Sequence, residues 1–424
     1  MTDEPVRGPA VAPSPRGHAV RVMSGRDPHE PARVATPLEL LFDLAFVVAF
    51  GIAGEQAAHL LAEGHVASGV VGFAFSMFAI LWAWINFSWF ASAFDTDDWV
   101  YRVMTMAQMV GVVVLALGLP QMFASLDDGE RVHNEVMVGG YVVMRLAMLV
   151  QWLRAARQAP RYRRTCHAYA GALVVAQVGW VVLAVAPVGV AAFFAAGSAL
   201  VVVEMVGPWV AERRVAVDEG MTPWHAHHIA ERYGLLAIIT LGEGVIGTVA
   251  SLSAAVDGSG WTLDAALVAV AGIGLTFGLW WTYYITPSGE VLHRHRERAF
   301  AWGYGHMAVL AALAAVGAGL HVVASALDGH SAIGPVGGVL AVAVPVLVFV
   351  VADYLLFWVL LRSFDPLHSW LVGGAVLTLA AAVVAVALGA STAWALLLVM
   401  LAPAITVVGY ETVGHRHLAQ MLER

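Results

Sequence analysis

Long apolar stretches separated by short polar segments make up most of the chain from residue 38 onward. A helix needs about 20 apolar residues to cross a bilayer, and these stretches are near that length. The pattern predicts an all-α, polytopic membrane protein with about twelve transmembrane helices. The predicted spans are 38–61, 67–91, 103–124, 134–153, 168–186, 189–210, 233–253, 263–285, 299–325, 334–361, 369–388 and 392–411. Merging the helices at the short breaks 186–189 and 388–392 is the main alternative.

Composition supports this class of protein. Of 424 residues, 60% are hydrophobic and 12% are charged, with a mean hydropathy of +0.77, whereas soluble domains have about 25% charged residues. Because the charges fall mostly in loops, we expect a lipid bilayer and no nucleic acid as partner. The single Cys166 excludes an intrachain disulfide.

The basic residues orient the predicted spans. All 22 are arginines, and with the N-terminus inside, 20 of them fall in inside segments. Arg131 alone falls outside, and Arg145 lies within a span. Positive charge accumulates in cytoplasmic loops, so this distribution predicts that both termini are cytoplasmic.

The chain divides into five predicted regions. Residues 1–35, with six prolines and five arginines, are predicted to be a disordered cytoplasmic tail. Two six-helix halves, 36–212 and 233–411, are joined by a cytoplasmic linker over 213–232, and a cytoplasmic tail follows from 412 to 424. Asp43 precedes Gly54-Glu55 as Glu231 precedes Gly242-Glu243, which suggests the hypothesis of a parallel six-plus-six repeat.

Ionisable residues inside predicted spans are the first candidates for function, because charge in a membrane is unfavourable and usually retained for a role. We expect Glu243 to carry a proton or cation, with Arg145 as its charge partner or as an anion anchor. In the competing interpretation, Arg145 and the acids only clamp helices together. The predicted ion or substrate path comprises Glu39, Asp43, Glu55, Arg145, Glu231 and Glu243. Further intramembrane candidates are Glu204, His306 and Asp353.

Two neighbouring features refine this path. Glycines flank Glu243, and glycine weakens a helix, so the helix could loosen there, or the small residues could instead allow close packing. Asp95, Asp97 and Asp98 lie together after the second span and could form a cytoplasmic gate or a solvated acidic loop.

A histidine cluster offers a different chemistry. His225, His227 and His228 precede Glu231, and the spacings to Glu231 from His227 and His228 are i, i+4 and i, i+3, which suit a shared metal ion on a helix. This metal site would be the basis of an intramembrane enzyme acting on lipid-like substrates. Apart from it, no cofactor is predicted.

Five motifs resemble those of the bacterial low temperature requirement protein A family. They are "TPLELLFDLAFVVAF", "WAWINFSWFASAFDTDD", "YRVMTMAQMVGVVVLALGLP", "GYVVMRLAMLVQWLRAAR" and "TPWHAHHIAERYGLLAIITLGEGVIG", in this order. The resemblance implies a multi-pass protein of the bacterial inner membrane and implies no particular substrate.

Together these features predict an ion- or proton-coupled transporter or permease for an unknown small molecule or ion. The alternatives are the metal-dependent membrane enzyme and a membrane stress protein that transports nothing. The sequence favours a role without catalysis.

Overall fold

The computed structural model describes residues 20–31, 33–213 and 220–423, and within these ranges the regular structure is helical throughout. Twelve of the described helices are long and apolar enough to cross a membrane, which confirms the predicted fold class and span number. The helices are α1 Pro37–Ala62, α2 Val66–Phe94, α3 Trp99–Asp128, α4 Glu135–Gln158, α5 Arg163–Val185, α6 Val190–Arg213, α7 Ala226–Ser259, α8 Leu263–Tyr284, α9 Ser288–Arg294, α10 Ala299–Leu327, α11 Gly334–Leu361, α12 Pro366–Ala387, α13 Thr392–Gly409 and α14 His415–Leu422.

The short helices α9 and α14 extend the eighth and the twelfth spans, which run over Leu263–Arg294 and Thr392–Leu422. We call the membrane side on which residues 20–31 and 33–36 lie the N-side. Because the spans alternate in direction, the connections after α2, α4, α6, α8 and α11 and the end of α13 also lie on the N-side.

Helix α7 begins earlier than the sequence indicated. It starts at Ala226, where the His225 side chain accepts a hydrogen bond from the backbone N–H of His228 and so caps the helix. The predicted linker 213–232 therefore ends sooner, and Arg232 lies on α7 rather than in a loop. Residues 214–219 of that linker are outside the described residues.

Helix α1 begins with a capping box. Thr36 and Glu39 exchange hydrogen bonds between side chain and backbone, and Pro37 occupies the first turn, where its missing N–H is not needed. This arrangement turns the Glu39 carboxylate back toward the start of α1. The first acidic residue of the predicted path is thus also the residue that defines where the helix starts.

Helices α1 and α10 form the centre of the bundle. Helix α1 packs against α2, α3, α7 and α10, and α10 packs closely against α7 and α11. The pairs α5–α6 and α12–α13 lie further out. Of the twelve described spans, α6 has the smallest share of its apolar segment buried inside the protein, 17%. The contact between α1, α7 and α10 is therefore the place where buried polar residues are best shielded from lipid.

The chain before α1 differs from the prediction of a disordered tail over residues 1–35. We call residues 20–31 and 33–35 the N-terminal strap. Met23 is fully buried, its backbone N–H donates to Gln158 Oε1 at 2.9 Å, and the Arg26 N–H donates to the Ala93 carbonyl at 2.8 Å. The strap thus lies across the N-side ends of α2 and α4. Residues 1–19 lie outside the described residues.

Candidate functional site

A buried ion cluster joins α1 to α7. Arg232 Nη1 lies 2.9 Å from Glu39 Oε1, and Arg232 Nη2 donates to Asp43 Oδ1 at 2.5 Å. All three side chains are completely buried. Glu39 and Asp43 are four residues apart and so share one face of α1, and one arginine from α7 reaches both.

Hydrogen bonds from neighbouring elements position the two carboxylates. Trp84 of α2 donates its indole N–H to Asp43 Oδ1 at 2.7 Å, and the Thr36 hydroxyl donates to Glu39 Oε2 at 2.9 Å. The ring of Trp84 also lies 5.6 Å from the Arg232 guanidinium carbon, within reach of a cation–π contact. Helices α1, α2 and α7, with Thr36 just before α1, thus hold the cluster in one arrangement.

His228 completes the cluster on the N-side. Its Nε2 lies 3.2 Å from Glu39 Oε1, one helical turn before Arg232. Two ionised carboxylates and one guanidinium leave one excess negative charge, which a proton on this imidazole would balance. Among the described residues, neither His228 Nδ1 nor Asp43 Oδ2 has a hydrogen-bond partner. Buried polar atoms are usually paired with protein or water, so the cluster has unused capacity for a proton, water or small ion.

Glu231 lies at the N-side mouth of the cluster. Its side chain is half-buried, and Oε2 accepts a hydrogen bond from the backbone N–H of Ala35 in the strap at 3.2 Å. This hydrogen bond fastens the strap to the start of α7.

Glu243 lies near the midpoint of α7, where α7 meets α1 and α10. It is 8% exposed and forms no hydrogen bond or ion pair with any described residue. A Cβ added at Gly51 of α1 would lie 3.3 Å from Glu243 Oε1, and one added at Gly317 of α10 would lie 2.7 Å from Glu243 Cβ. Gly51 therefore leaves open the space that the carboxyl group occupies, and Gly317 leaves room for the Cβ and backbone of Glu243.

Of the glycines beside Glu243, Gly244 and Gly247 serve close packing, whereas a Cβ at Gly242 would have nothing within 4 Å. Helix α7 is continuous from Ala226 to Ser259, so it does not loosen around Glu243. A Cβ at Gly247 would lie 2.6 Å from the Gly317 carbonyl oxygen, which shows how closely α7 and α10 approach. Small residues at such crossings let helix backbones come together.

Two residues of the predicted path lie elsewhere. Glu55 is exposed on α1 and is not part of the buried cluster. Arg145 pairs with Glu204 of α6 at 3.0 Å rather than with Glu243. The expectation that Arg145 is the charge partner of Glu243 is therefore wrong. Spans α4 and α6 could not be placed beside each other from the sequence.

Neighbouring aromatic side chains form hydrogen bonds with both members of the Arg145–Glu204 pair. Glu204 accepts from the Trp82 indole N–H at 2.5 Å and from the Tyr141 hydroxyl at 2.9 Å, and Arg145 also bonds the Tyr141 hydroxyl. Arg145 is 2% exposed. This arrangement fits the structural clamp that the sequence left open as an alternative.

Asp95, from the predicted gate, is buried under the strap. Its Oδ2 lies 4.0 Å from both Arg26 Nη1 and Arg33 Nη2, and its Oδ1 accepts from the Asp97 backbone N–H at 2.7 Å. Burial raises the pKa of Asp95 to about 6, and the negative charge of Glu39 adds to the effect. Asp95 is therefore an acid whose charge is sensitive to mild acidification.

Asp98 fastens the strap more firmly. It caps α3 by accepting from the Tyr101 backbone N–H at 2.9 Å, accepts from the Arg21 backbone N–H at 2.9 Å, and pairs with Arg154. Burial opposes ionisation of Asp98, but these hydrogen bonds outweigh it and lower its pKa to about 2. Asp97 instead pairs with the exposed Arg102 at 2.8 Å. Asp95, Asp97 and Asp98 thus hold loops together. Only Asp97, whose partner is exposed, fits the alternative of a solvated acidic loop.

The three histidines of the predicted metal site diverge. His225 Nδ1 accepts from the His228 N–H, which leaves the His225 Nε2–H to donate to the Glu30 carbonyl at 2.9 Å. His228 turns to Glu39, whereas His227 is exposed. Across the described ranges no three His, Cys, Asp or Glu side chains are grouped so that they could hold a metal ion. The structure therefore does not form the metal site that the spacing predicted.

Sequence reasoning missed Arg232 as a site residue. The distribution of arginines placed Arg232 in a cytoplasmic loop, because Arg232 precedes the apolar run of α7. One signal was available: Glu39 and Asp43 form a buried pair of like charges, which requires a cation nearby. Sequence reasoning also did not single out Trp84, which is fully buried.

In the part of the chain that the structure describes, twelve helices long and apolar enough to cross a membrane define a multi-pass membrane protein. The chain belongs to the bacterial low temperature requirement A protein (LtrA) family, whose sequence model matches residues 34–403. The match confirms the resemblance seen in the motifs. It also extends that resemblance over the spans after residue 250.

One curated relative comes from Rhizobium meliloti (strain 1021) and bears the name "Uncharacterized protein RA0937". It is 24% identical over 292 residues, which cover 64% of this chain and 65% of the relative. The matched region is thus slightly less than two thirds of the relative. No solved structure matches the chain.

Proposed function

We propose that this protein is a transporter that couples the movement of a small solute to a proton or a monovalent cation, with Glu243 as the coupling carboxylate. The observation that carries the proposal is the environment of Glu243. A carboxyl group in mid-membrane without a partner is unfavourable when ionised. It therefore exists in the protonated form or with a bound cation, and a change of that state is what a coupled transporter uses.

The shape of the contact supports a movable site. Glu243 lies where three helices meet through glycines: Gly51 leaves room for its carboxyl group, and Gly317 allows the close approach of its backbone. No hydrogen bond from a described residue fixes the carboxyl group. Small displacements of α7 against α1 or α10 would therefore change the exposure of Glu243 without breaking polar contacts.

The Arg232 cluster is proposed to close the route on the N-side. Asp43 and Gly51 are separated by two helical turns, about 12 Å, and the fully buried Phe46 and Phe50 lie between them on α1. A proton leaving Glu243 toward the N-side would have to pass this apolar segment and then reach Asp43 and His228. Opening of the strap, which holds Glu231 and Asp98, would then expose the cluster to water.

Location and orientation are part of the same proposal. The arginine distribution supports insertion in the bacterial inner membrane with both termini cytoplasmic, which makes the N-side the cytoplasmic side. The route would therefore open to the cytoplasm beneath the strap.

Proteoliposomes test the transport proposal. A panel of small solutes is applied on a solid-supported membrane under an imposed pH gradient, and charge movement is recorded. The wild-type protein should give a solute-dependent current, which Glu243→Gln abolishes. Glu55→Gln, a control that removes an equal charge from the exposed face of α1, should retain the current. Full current in Glu243→Gln, or none from the wild-type protein with any solute, would contradict the proposal.

A further inference from the structure

A cavity of about 30 Å³ lies at the N-side ends of α8, α11, α12 and α13, on helices separate from Glu243 and the Arg232 cluster. A buried water needs about 10–15 Å³ by this kind of measure, so the cavity has room for about two water-sized groups. Leu418 of α14 lines its outer edge. Helix α14 is held there by His417, whose Nδ1 lies 2.7 Å from Asp365 at the start of α12.

Asp353 supplies the only acidic side chain that lines this cavity among the described residues. It lies on α11, eight residues before the helix ends at Leu361. Its carboxylate forms no hydrogen bond or ion pair with any residue that the structure describes. An unpaired carboxylate this far inside a spanning helix is unfavourable by itself, and here it adjoins empty space rather than a partner.

Hydroxyl groups from two further helices face the same cavity. Thr282 of α8 donates its hydroxyl hydrogen to the Gly278 carbonyl at 2.9 Å, so its Oγ1 lone pairs remain available to accept. Thr406 of α13 accepts from the Tyr354 hydroxyl at 3.3 Å. The cavity therefore presents acceptors around Asp353 and suits a ligand that donates several hydrogen bonds.

Aromatic rings form much of the remaining wall. Tyr354, Phe357 and Tyr410 all line the cavity, and the His368 ring packs 4.8 Å from Tyr354 and 4.5 Å from Phe357. Aromatic faces attract cations. A carboxylate, hydroxyl acceptors and aromatic rings together form a surface that selects for positive charge.

We propose that this cavity is a binding site for a small primary ammonium ion, on the scale of methylammonium, with the Asp353 carboxylate as counter-ion and the Thr282 and Thr406 hydroxyls as further acceptors. A single carboxylate matches a single positive charge, which disfavours a divalent metal ion. An ammonium group offers donors to the oxygens, and its methyl group can rest against the rings. The site does not depend on the transport role proposed for Glu243, because the two share no helix.

Titration calorimetry of the full-length protein in nanodiscs tests the site, with methylammonium chloride as the probe at constant ionic strength. The wild-type protein should bind it saturably. Asp353→Asn should weaken binding about tenfold or more, since one charged hydrogen-bond partner is lost. Thr282→Val, which replaces a hydroxyl by a methyl group of similar size, should weaken binding to a smaller extent and serves as the second variant if Asp353→Asn does not fold.

Glu411→Gln is the matched control. Glu411 lies at the same membrane side and accepts from the Trp281 indole N–H at 3.2 Å, but does not line the cavity. The Glu411→Gln substitution should leave the affinity for methylammonium unchanged. Equal affinity in wild-type protein and Asp353→Asn would overturn the proposal, as would equal weakening by Glu411→Gln. Displacement of methylammonium by an equal concentration of sodium ion would overturn the ammonium assignment. Since Glu243→Gln should not affect this binding, failure here is distinct from failure of the transport proposal.

Discussion

Arg232 Nη2 and Asp43 Oδ1 lie 2.5 Å apart in a fully buried contact between α7 and α1. The same guanidinium lies 2.9 Å from Glu39, so one arginine pairs with two acids across the helix interface. The contact joins the helix that carries Glu243 to the helix that begins beneath the strap. Loss of Arg232 should therefore weaken the contact between α7 and α1 on the N-side.

Replacement of Arg232 should therefore be strongly destabilising. In Arg232→Gln, Glu39 and Asp43 remain as two buried acids without a cation, and breaking a buried pair in this way costs about 3–5 kcal/mol. Glu39→Gln should destabilise less, because it leaves Arg232 paired with Asp43 and removes the excess negative charge. Thermal unfolding in detergent micelles measures both. Equal losses in the two variants would mean that charge balance does not govern the cluster.

Asp95 should make stability depend on pH. Burial raises its pKa from the ordinary 3.8 to about 6. Between these values the folded protein holds a proton that the unfolded chain releases, so the contribution of Asp95 to stability falls as pH rises through that window and stays low above it. Asp95→Asn has no such titration, and its melting temperature should rise relative to wild type from about pH 4 to about pH 6.

The control for Asp95 is Asp97→Asn. Asp97 pairs with an exposed arginine and lies in the same loop. A rise in melting temperature across that range in Asp95→Asn but not in Asp97→Asn would assign the effect to the buried carboxyl group. A constant offset of Asp95→Asn from the wild-type protein would show that burial of Asp95 does not control its protonation.

The stability costs of three Gly→Ala substitutions should follow how closely other atoms approach each position. A Cβ at Gly317 would lie 2.7 Å from both Glu243 Cβ and its backbone, so Gly317→Ala should cost about 1–3 kcal/mol through overpacking. Gly51→Ala should cost less, because the nearest atom is the mobile carboxylate oxygen of Glu243 at 3.3 Å. Gly242→Ala has nothing within 4 Å and should be neutral or stabilising, since alanine favours the helix. Unfolding measurements that gave Gly242→Ala the largest loss would contradict this geometry of the crossing.

The spans could be predicted because the length of an apolar run is a local property. Glu39 and Asp43 were also recognisable as neighbours, since helical spacing places them on one face. The pairing of Arg145 with Glu204 was not, because it depends on which helices meet, and apolar sequences carry little information about that. Whether the halves form a parallel repeat stays a prediction, and Glu55 and Glu243, its proposed equivalents, differ in that Glu55 is exposed whereas Glu243 is buried.

The N-terminal strap shows a different limit. Its prolines and arginines indicated disorder, because composition reports on whether a segment can build its own core. Met23 and Arg33 instead bury themselves against the bundle, and the backbone of the strap bonds to Gln158, Ala93 and Glu231. A segment can thus be ordered by a surface that its own composition does not reveal.

The protonation of Glu243 is the central claim, and infrared difference spectroscopy measures it directly. Wild-type protein in nanodiscs, titrated from neutral to alkaline pH, should show loss of the carbonyl band of a protonated carboxyl group in an apolar environment. Glu243→Gln should lack that band, whereas Glu55→Gln should retain it. A band that persists unchanged in Glu243→Gln, or is absent from the wild-type protein at neutral pH without sodium or potassium ions, would contradict the account.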